Sequence, residues 1–155
     1  MTPDSIFSIY SAAEAPAHVR RLVYKTLYRD WGVAHEPEEH WYNPQQGGRF
    51  IVAGAADGTP LGVCRLMSPE PDDPDRAQIR QVTVNPESRG IGLGRLLMEK
   101  AEELAALEGI SELWLNAREA AEPFYEKLRY RYTSDVWLSE LTGIPHRTMS
   151  KLLER

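Results

Sequence analysis

VTVNPESRGIGLGRLLM (residues 82–98) places three glycines, Gly90, Gly92 and Gly94, between an alternating apolar run and an apolar run at helical spacing. Glycine costs conformational entropy inside a regular element, so at such a junction it marks a turn or a close approach of the backbone to something else. Upstream, Ile79, Val82 and Val84 in AQIRQVTV (77–84) read as a strand. Downstream, Leu93, Leu96, Leu97, Ala101, Leu104 and Ala105 keep the helical period up to a stop at Gly109. The cluster is a strand–turn–helix junction.

Spacing narrows what such a junction serves. A P-loop requires GxxxxGK[ST], and no lysine follows before Lys100. A dinucleotide fingerprint requires GxGxxG, but Arg95 and Leu97 occupy the two places where the last glycine would fall. What remains is Arg89-Gly90-Ile91-Gly92-Leu93-Gly94-Arg95 at a helix start. First-turn amides there lack internal partners and carry partial positive charge, and arginine suits phosphate oxygens. The residues point to a pyrophosphate seat, with a glycine-rich helix cap as the plainer alternative.

Outward from the junction, SIFSIY (5–10) reads as a strand, 13–32 as a helix, and the polar 33–48 as an irregular loop or a short helix with loops. RFIVAGA (49–55) and LGVCRLM (61–67) flank the turn signal ADGT, and SPEPDDPDR (68–76) is an acidic loop. After the long helix come a strand (111–117), a short helix (119–128) and a final strand pair, 130–138 with 146–153. This order, βα(α)βββαβαββ, combines a meander with a strand–helix–strand crossover and predicts an α+β fold with a mixed sheet.

A length of 155 residues suits one domain spanning 1–155, with 42% hydrophobic and 26% charged residues typical of a soluble globular protein. No apolar run reaches the ~20 residues of a membrane span. MTPDSIFSIY holds Asp4 and no basic residue, so it does not read as a secretory signal, and a cytoplasmic protein is expected. The net charge of −5 argues against broad nucleic-acid binding. Cys64, the only cysteine, excludes an internal disulfide and a multi-cysteine metal site; in a strand-like run it reads as a buried inert thiol. No metal is expected.

The glycine stretch resembles the acyl-CoA-binding motif of the GNAT superfamily of N-acetyltransferases, Arg/Gln-x-x-Gly-x-Gly/Ala, at Arg89, Gly92 and Gly94. LNAREAAEPFYEKLRY (115–130) is similar to the family's next strand and tyrosine-bearing helix, and GIPHRTMSK (143–151) resembles the closing strands of one branch. The resemblance implies a three-layer α+β fold: a mixed, mostly antiparallel sheet of about six to seven strands flanked by about four helices. It implies acetyl-CoA as acyl donor, moving its acetyl group directly to a primary amine in a ternary complex.

Site residues follow from the same resemblance. Arg89, Gly90, Ile91, Gly92, Leu93, Gly94 and Arg95 would hold the pyrophosphate, and the backbones of Val82 and Val84 the pantetheine arm, in a gap between splayed strands. The Val84 amide would bind the thioester oxygen, and Tyr125 would donate a proton to the leaving thiolate. Asn116 would bond the cofactor or form a turn. The base is not legible: relatives use a strand carboxylate near Gln81, whereas this chain has Arg80 and Gln81. Glu38, Glu39, His40, Glu140, His146 or water remain for that role, with His146, Glu39 and His40 as substrate-site candidates. The family commonly has glycine where Arg129 stands, in a left-handed position costly for arginine.

Three readings are open: an N-acetyltransferase, a non-catalytic acyl-CoA sensor, and a binding domain without CoA. The acidic balance favours a cationic acceptor, as a small molecule or a peptide amine. No nucleic-acid or membrane partner is expected, and the chain is a monomer or a homodimer.

Overall fold

The computed structural model describes residues 6–153. Ser5 of the first expected strand and the Asp4 position lie outside that range. In chain order the elements are β1 (Ile6–Ser11), α1 (Ala17–Leu27), β2 (Arg49–Gly54), β3 (Pro60–Leu66), β4 (Arg76–Val84), α2 (Leu93–Leu107), β5 (Glu112–Arg118), α3 (Glu122–Lys127), β6 (Arg131–Tyr132), β7 (Trp137–Leu138) and β8 (Pro145–Leu152). The strands form one sheet in the order β1-β2-β3-β4-β5-β8, with the short β6 and β7 both on the outer side of β8. Every pairing is antiparallel except β4 with β5, which the α2 crossover makes parallel.

Two expectations are corrected. The described residues hold three α-helices, not four: 33–48 folds instead into 3-10 turns at Glu38–His40 and Pro44–Gln46. Its prolines and paired glycines deny it a run long enough for a hydrogen-bonded α-helix. Residues 130–138 are two two-residue strands rather than one, because only Arg131–Tyr132 and Trp137–Leu138 meet β8. No described helix is long and apolar enough to cross a membrane.

The sheet divides two cores. On one face Leu97, Met98 and Ala101 of α2 and Tyr125 of α3 pack against Ile51, Cys64, Leu66, Ile79 and Leu115. On the other, Val19, Leu22 and Val23 of α1 pack with Trp41, Tyr42, Phe50, Val52 and Val63. Strand periodicity does this sorting: Phe50 and Val52 point one way, Ile51 and Ala53 the other. That is why β2 and β3 read as nearly continuous apolar runs. Leu97 is fully buried, so its truncation to alanine would cost about 2–5 kcal/mol.

The sheet is irregular at one functional place. Between Arg80 and Thr83, β4 spends three residues where β3 spends two from Val63 to Arg65, which is a β-bulge. Gln81 takes a positive φ of 52° there. The extra residue shifts the alternation, so Ile79 before the bulge and Val82 and Val84 after it pack on the α2 side. Gln81 and Thr83 face α1 instead, reaching Tyr28 and Thr26.

Candidate active site

The bulge opens the sheet. β4 and β5 pair only from Arg76↔Glu112 to Ile79↔Leu115; past that point β5 pairs with β8 through Arg118, while β4 stays on β3. The Asn85 amide donates to the Leu61 carbonyl across on β3 at 2.7 Å. Alternation then turns the amides of Val82 and Val84 the other way, into the gap. This is the splay expected there. The Val82 and Val84 side chains pack on the core, so only their backbone is offered to the gap.

At the top of the gap stands the N-terminus of α2, with Gly92 as N-cap at φ 81° and no capping side chain or acidic residue in the first turn. The three glycines have different reasons. Gly90 and Gly92 hold positive φ with open space where a Cβ would sit. Gly94 is helical, and an added Cβ would lie 3.2 Å from the Phe124 ring. Its smallness serves close packing of α2 against α3, a role the sequence reading did not give it. The Leu93 side chain is in the core, and Ile91 is exposed. Arg89 reaches the Val84 carbonyl through Nε at 3.3 Å, and the exposed Arg95 lies 3.7 Å from Glu99.

Below, a cavity of about 270 Å³ opens between the C-terminal end of α1, the bulge, the end of β5, α3 and the 137–146 segment. Tyr125 lines it from α3, 7% exposed, and among the described residues its hydroxyl has no hydrogen-bond partner. Burial, then nearby Cys64, raise its pKa, and Arg118 opposes them; the phenol is fully protonated at neutral pH. The Asn116 Oδ1 atom accepts from Thr148 Oγ1 at 2.9 Å at the cavity wall.

His146 also lines the cavity. Its Nδ1 lies 2.7 Å from the Ile144 carbonyl, which can only accept, so Nδ1 carries the proton and Nε2 keeps its lone pair. Burial lowers its pKa, the Ile144 bond raises it, and Arg118 lowers it, for a net fall below the usual histidine value. The ring stacks on Trp137 with centroids 5.0 Å apart. Backbone register sets this row: Arg118 faces His146 across β5–β8, and Trp137 faces His146 across β7–β8.

Other candidates lie elsewhere. Glu39 and His40 sit on the exposed 38–40 turn and do not line the cavity; Glu38 pairs with Arg20 at 3.0 Å. Glu140 is exposed beside lining residues but is not one of them. Gln81 is held by three bonds: Nε2 donates to the Tyr28 hydroxyl and the Trp41 carbonyl, and Oε1 accepts from Arg65. Cys64 is buried and its thiol is pushed up to about 12, as expected of an inert core cysteine.

Sequence reading missed Arg65 and Arg118. Arg65, wholly buried, donates to the carbonyls of Tyr42, Asn43 and Gly47 as well as to Gln81. Burial, then Arg80, lower its pKa to about 10, so it stays charged and ties the 42–47 loop to the bulge. Arg118 donates to the Leu27 carbonyl, lies 4.7 Å over the Trp31 ring and lines the cavity. A charged residue on an otherwise apolar strand was the available signal for Arg65; Arg118, at the end of a strand that also carries Glu112 and Asn116, had no such signal.

This architecture recurs in solved structures. An acyl-CoA N-acyltransferase from Pseudomonas aeruginosa superposes with a TM-score of 0.73 at 20% identity over 95% of this chain and 99% of that one. YncA from Salmonella typhimurium, solved with its cofactor acetyl-CoA, superposes with a TM-score of 0.69 at 18% identity over 97% and 95%. At these identities the likeness shows the fold. In sequence, the uncharacterised N-acetyltransferase YjcF of Bacillus subtilis is 36% identical over 74 residues, 48% of this chain and 52% of YjcF. The chain spans about half the length of the curated relatives it matches. The family model for the GNAT acetyltransferases matches residues 17–130, from α1 through the tyrosine helix to Tyr130, so the chain belongs to the GNAT acetyltransferase family.

Proposed function

We propose that the chain transfers an acetyl group from acetyl-CoA to a primary amine, directly and within a ternary complex. The observation that carries this is convergence at the splay: the free edge of β4 past Ile79 meets a cavity lined by Val82, the unbonded phenol of Tyr125 and the imidazole of His146. The uncapped start of α2 and the neighbouring Arg89 and Arg95 fit a pyrophosphate. The edge of β4 past Ile79 fits an amide-bearing arm laid beside it as a strand would be.

When bound, acetyl-CoA supplies an activated thioester. Everything else falls to the chain. His146 Nε2 takes a proton from the acceptor ammonium, directly or through one water, and so frees the lone pair that attacks. The Val84 amide donates to the carbonyl oxygen as it gains charge, a contribution of about 3 kcal/mol in other acyl-transfer enzymes. Tyr125 Oη, protonated and without another partner, gives its proton to the departing sulfur and is reprotonated, directly or through water, by the nitrogen as it sheds its second proton to become the amide. Buried Cys64 is unsuited to hold the acetyl group, which favours the direct route.

Thermal melts with acetyl-CoA, CoA and NADH test the cofactor half of this reading. A ligand at 100 times its Kd stabilises by about 2.7 kcal/mol, or about 5–10 °C for a chain of this size. Both CoA forms should shift the melt and NADH should not. Thiol release over an amine panel tests the rest. A shift without any acetylation would make the chain an acyl-CoA-binding module; no shift would leave the glycines as a helix cap.

A further inference from the structure

We propose that the acceptor carries a carboxylate or another oxyanion beside its amine, and that Arg118, with Arg80 of the same cavity lining, binds that anion. This rests on the acetyltransferase reading and names the acceptor class. Although the chain bears a net charge of −5, the cavity lining includes two guanidinium groups, Arg80 and Arg118, and no carboxylate. Among the described residues neither arginine forms an ion pair: Arg118 bonds a backbone carbonyl and Arg80 the side-chain amide of Gln46. Buried Arg65 adds a third positive charge behind Arg80. A half-buried cation without a counter-charge is costly, and a ligand anion removes that cost.

The placement is specific to the acceptor end. None of residues 89–95 lines this cavity, so these guanidinium groups are not part of the pyrophosphate seat. Arg118 instead stands directly across β5–β8 from His146, and its charge reaches both His146 and Tyr125. An amino acid whose carboxylate meets Arg118 therefore brings its amine toward His146. Trp137, Leu141 and Leu27 offer an apolar wall for its side chain. A polyamine or aminoglycoside brings only positive charge to a positive cavity, so the cationic acceptor suggested by overall composition is the disfavoured class here.

The test compares matched acceptors with acetyl-CoA: phenylalanine against 2-phenylethylamine and phenylalaninamide, methionine against 3-(methylthio)propylamine, and spermidine as the polycation. Carboxylated members should be preferred in kcat/KM by about tenfold to a hundredfold, the range of a charge-assisted hydrogen bond. Arg118→Gln should collapse that ratio toward one, chiefly through KM of the carboxylated member, and Arg118→Lys should keep part of it. Equal rates for the members of each pair, preference for spermidine, or a ratio unmoved in both Arg118→Gln and Arg80→Gln would overturn the proposal.

A binding arm separates this from the reading beneath it. In the presence of CoA, N-acetylphenylalanine should bind wild-type protein at least tenfold more tightly than N-(2-phenylethyl)acetamide, with the difference falling as salt is raised. That result without acetylation of any amine keeps the anion site and overturns the acetyltransferase. Acetylation of bare amines with equal binding of the two amides does the reverse. Both comparisons use wild-type protein, so they hold even if an arginine variant fails to fold.

Discussion

Arg129→Gly should make this protein more stable. Arg129 follows α3 at φ 74°, the left-handed region, and it is exposed. The helix closes around it with both bonds of a Schellman motif: the Arg129 amide donates to the Glu126 carbonyl at 2.9 Å and the Tyr130 amide to the Tyr125 carbonyl at 3.0 Å. A side chain at such a φ costs about 1–2 kcal/mol, whereas glycine adopts it freely. Glycine also loses more freedom on folding, by about 0.5–1 kcal/mol, so the net gain is about 0.5–1 kcal/mol. At ~2.1 cal/mol/K per residue, a chain of 155 residues has an unfolding entropy of roughly 0.33 kcal/mol/K, and Tm should rise by about 2–3 °C. Thermal melts of wild type, Arg129→Gly and Arg129→Ala read this directly. Alanine pays the same backbone cost and should gain nothing. A lower Tm for the glycine variant, or an equal rise for alanine, would refute the account.

Tyr125→Phe should lower kcat about 100-fold or more while preserving the acetyl-CoA-induced melt shift; with no partner lost inside the protein, its Tm should stay near wild type. The acid limb of kcat should lie below pH ~6.5, because burial lowers the His146 pKa and activity is lost only as pH falls through that lowered value; His146→Gln should remove the limb, and a limb that stays would assign the base elsewhere. Arg65→Met leaves the carbonyls of Tyr42, Asn43 and Gly47 without their donor, so urea unfolding should show a loss of about 3 kcal/mol or more.

The legible parts of the site were those written in contiguous residues. Gly90 and Gly92 announce a turn because their φ values forbid most side chains, and the run from Leu93 to Ala105 announces the helix behind it. Tyr125 was legible through the surrounding FYEKL pattern. The base we propose was not legible as a role: the Ile144 carbonyl fixes the His146 tautomer so that Nε2 can accept, and burial lowers its pKa. The acidic HEPEEH stretch did not lead to the cavity, since charge along the chain says nothing about which way a turn faces; Glu39 and His40 are exposed and do not line it.

By itself the sequence determined the order of the long strands and helices, the strand–glycine–helix junction and the family, because each depends on periodicity or spacing among neighbours. Tertiary structure alone decided the bulge at Gln81, the splay of β4 from β5 and the positive charge of the cavity. Gln81 bulges where Arg65, from another strand, and Trp41, from a loop, can hold its amide. Arg118, His146 and Trp137 form one row because β8 pairs with β5 on one side and β7 on the other. Strand register is a property of the assembled sheet, and no local pattern encodes which side chains it will place face to face.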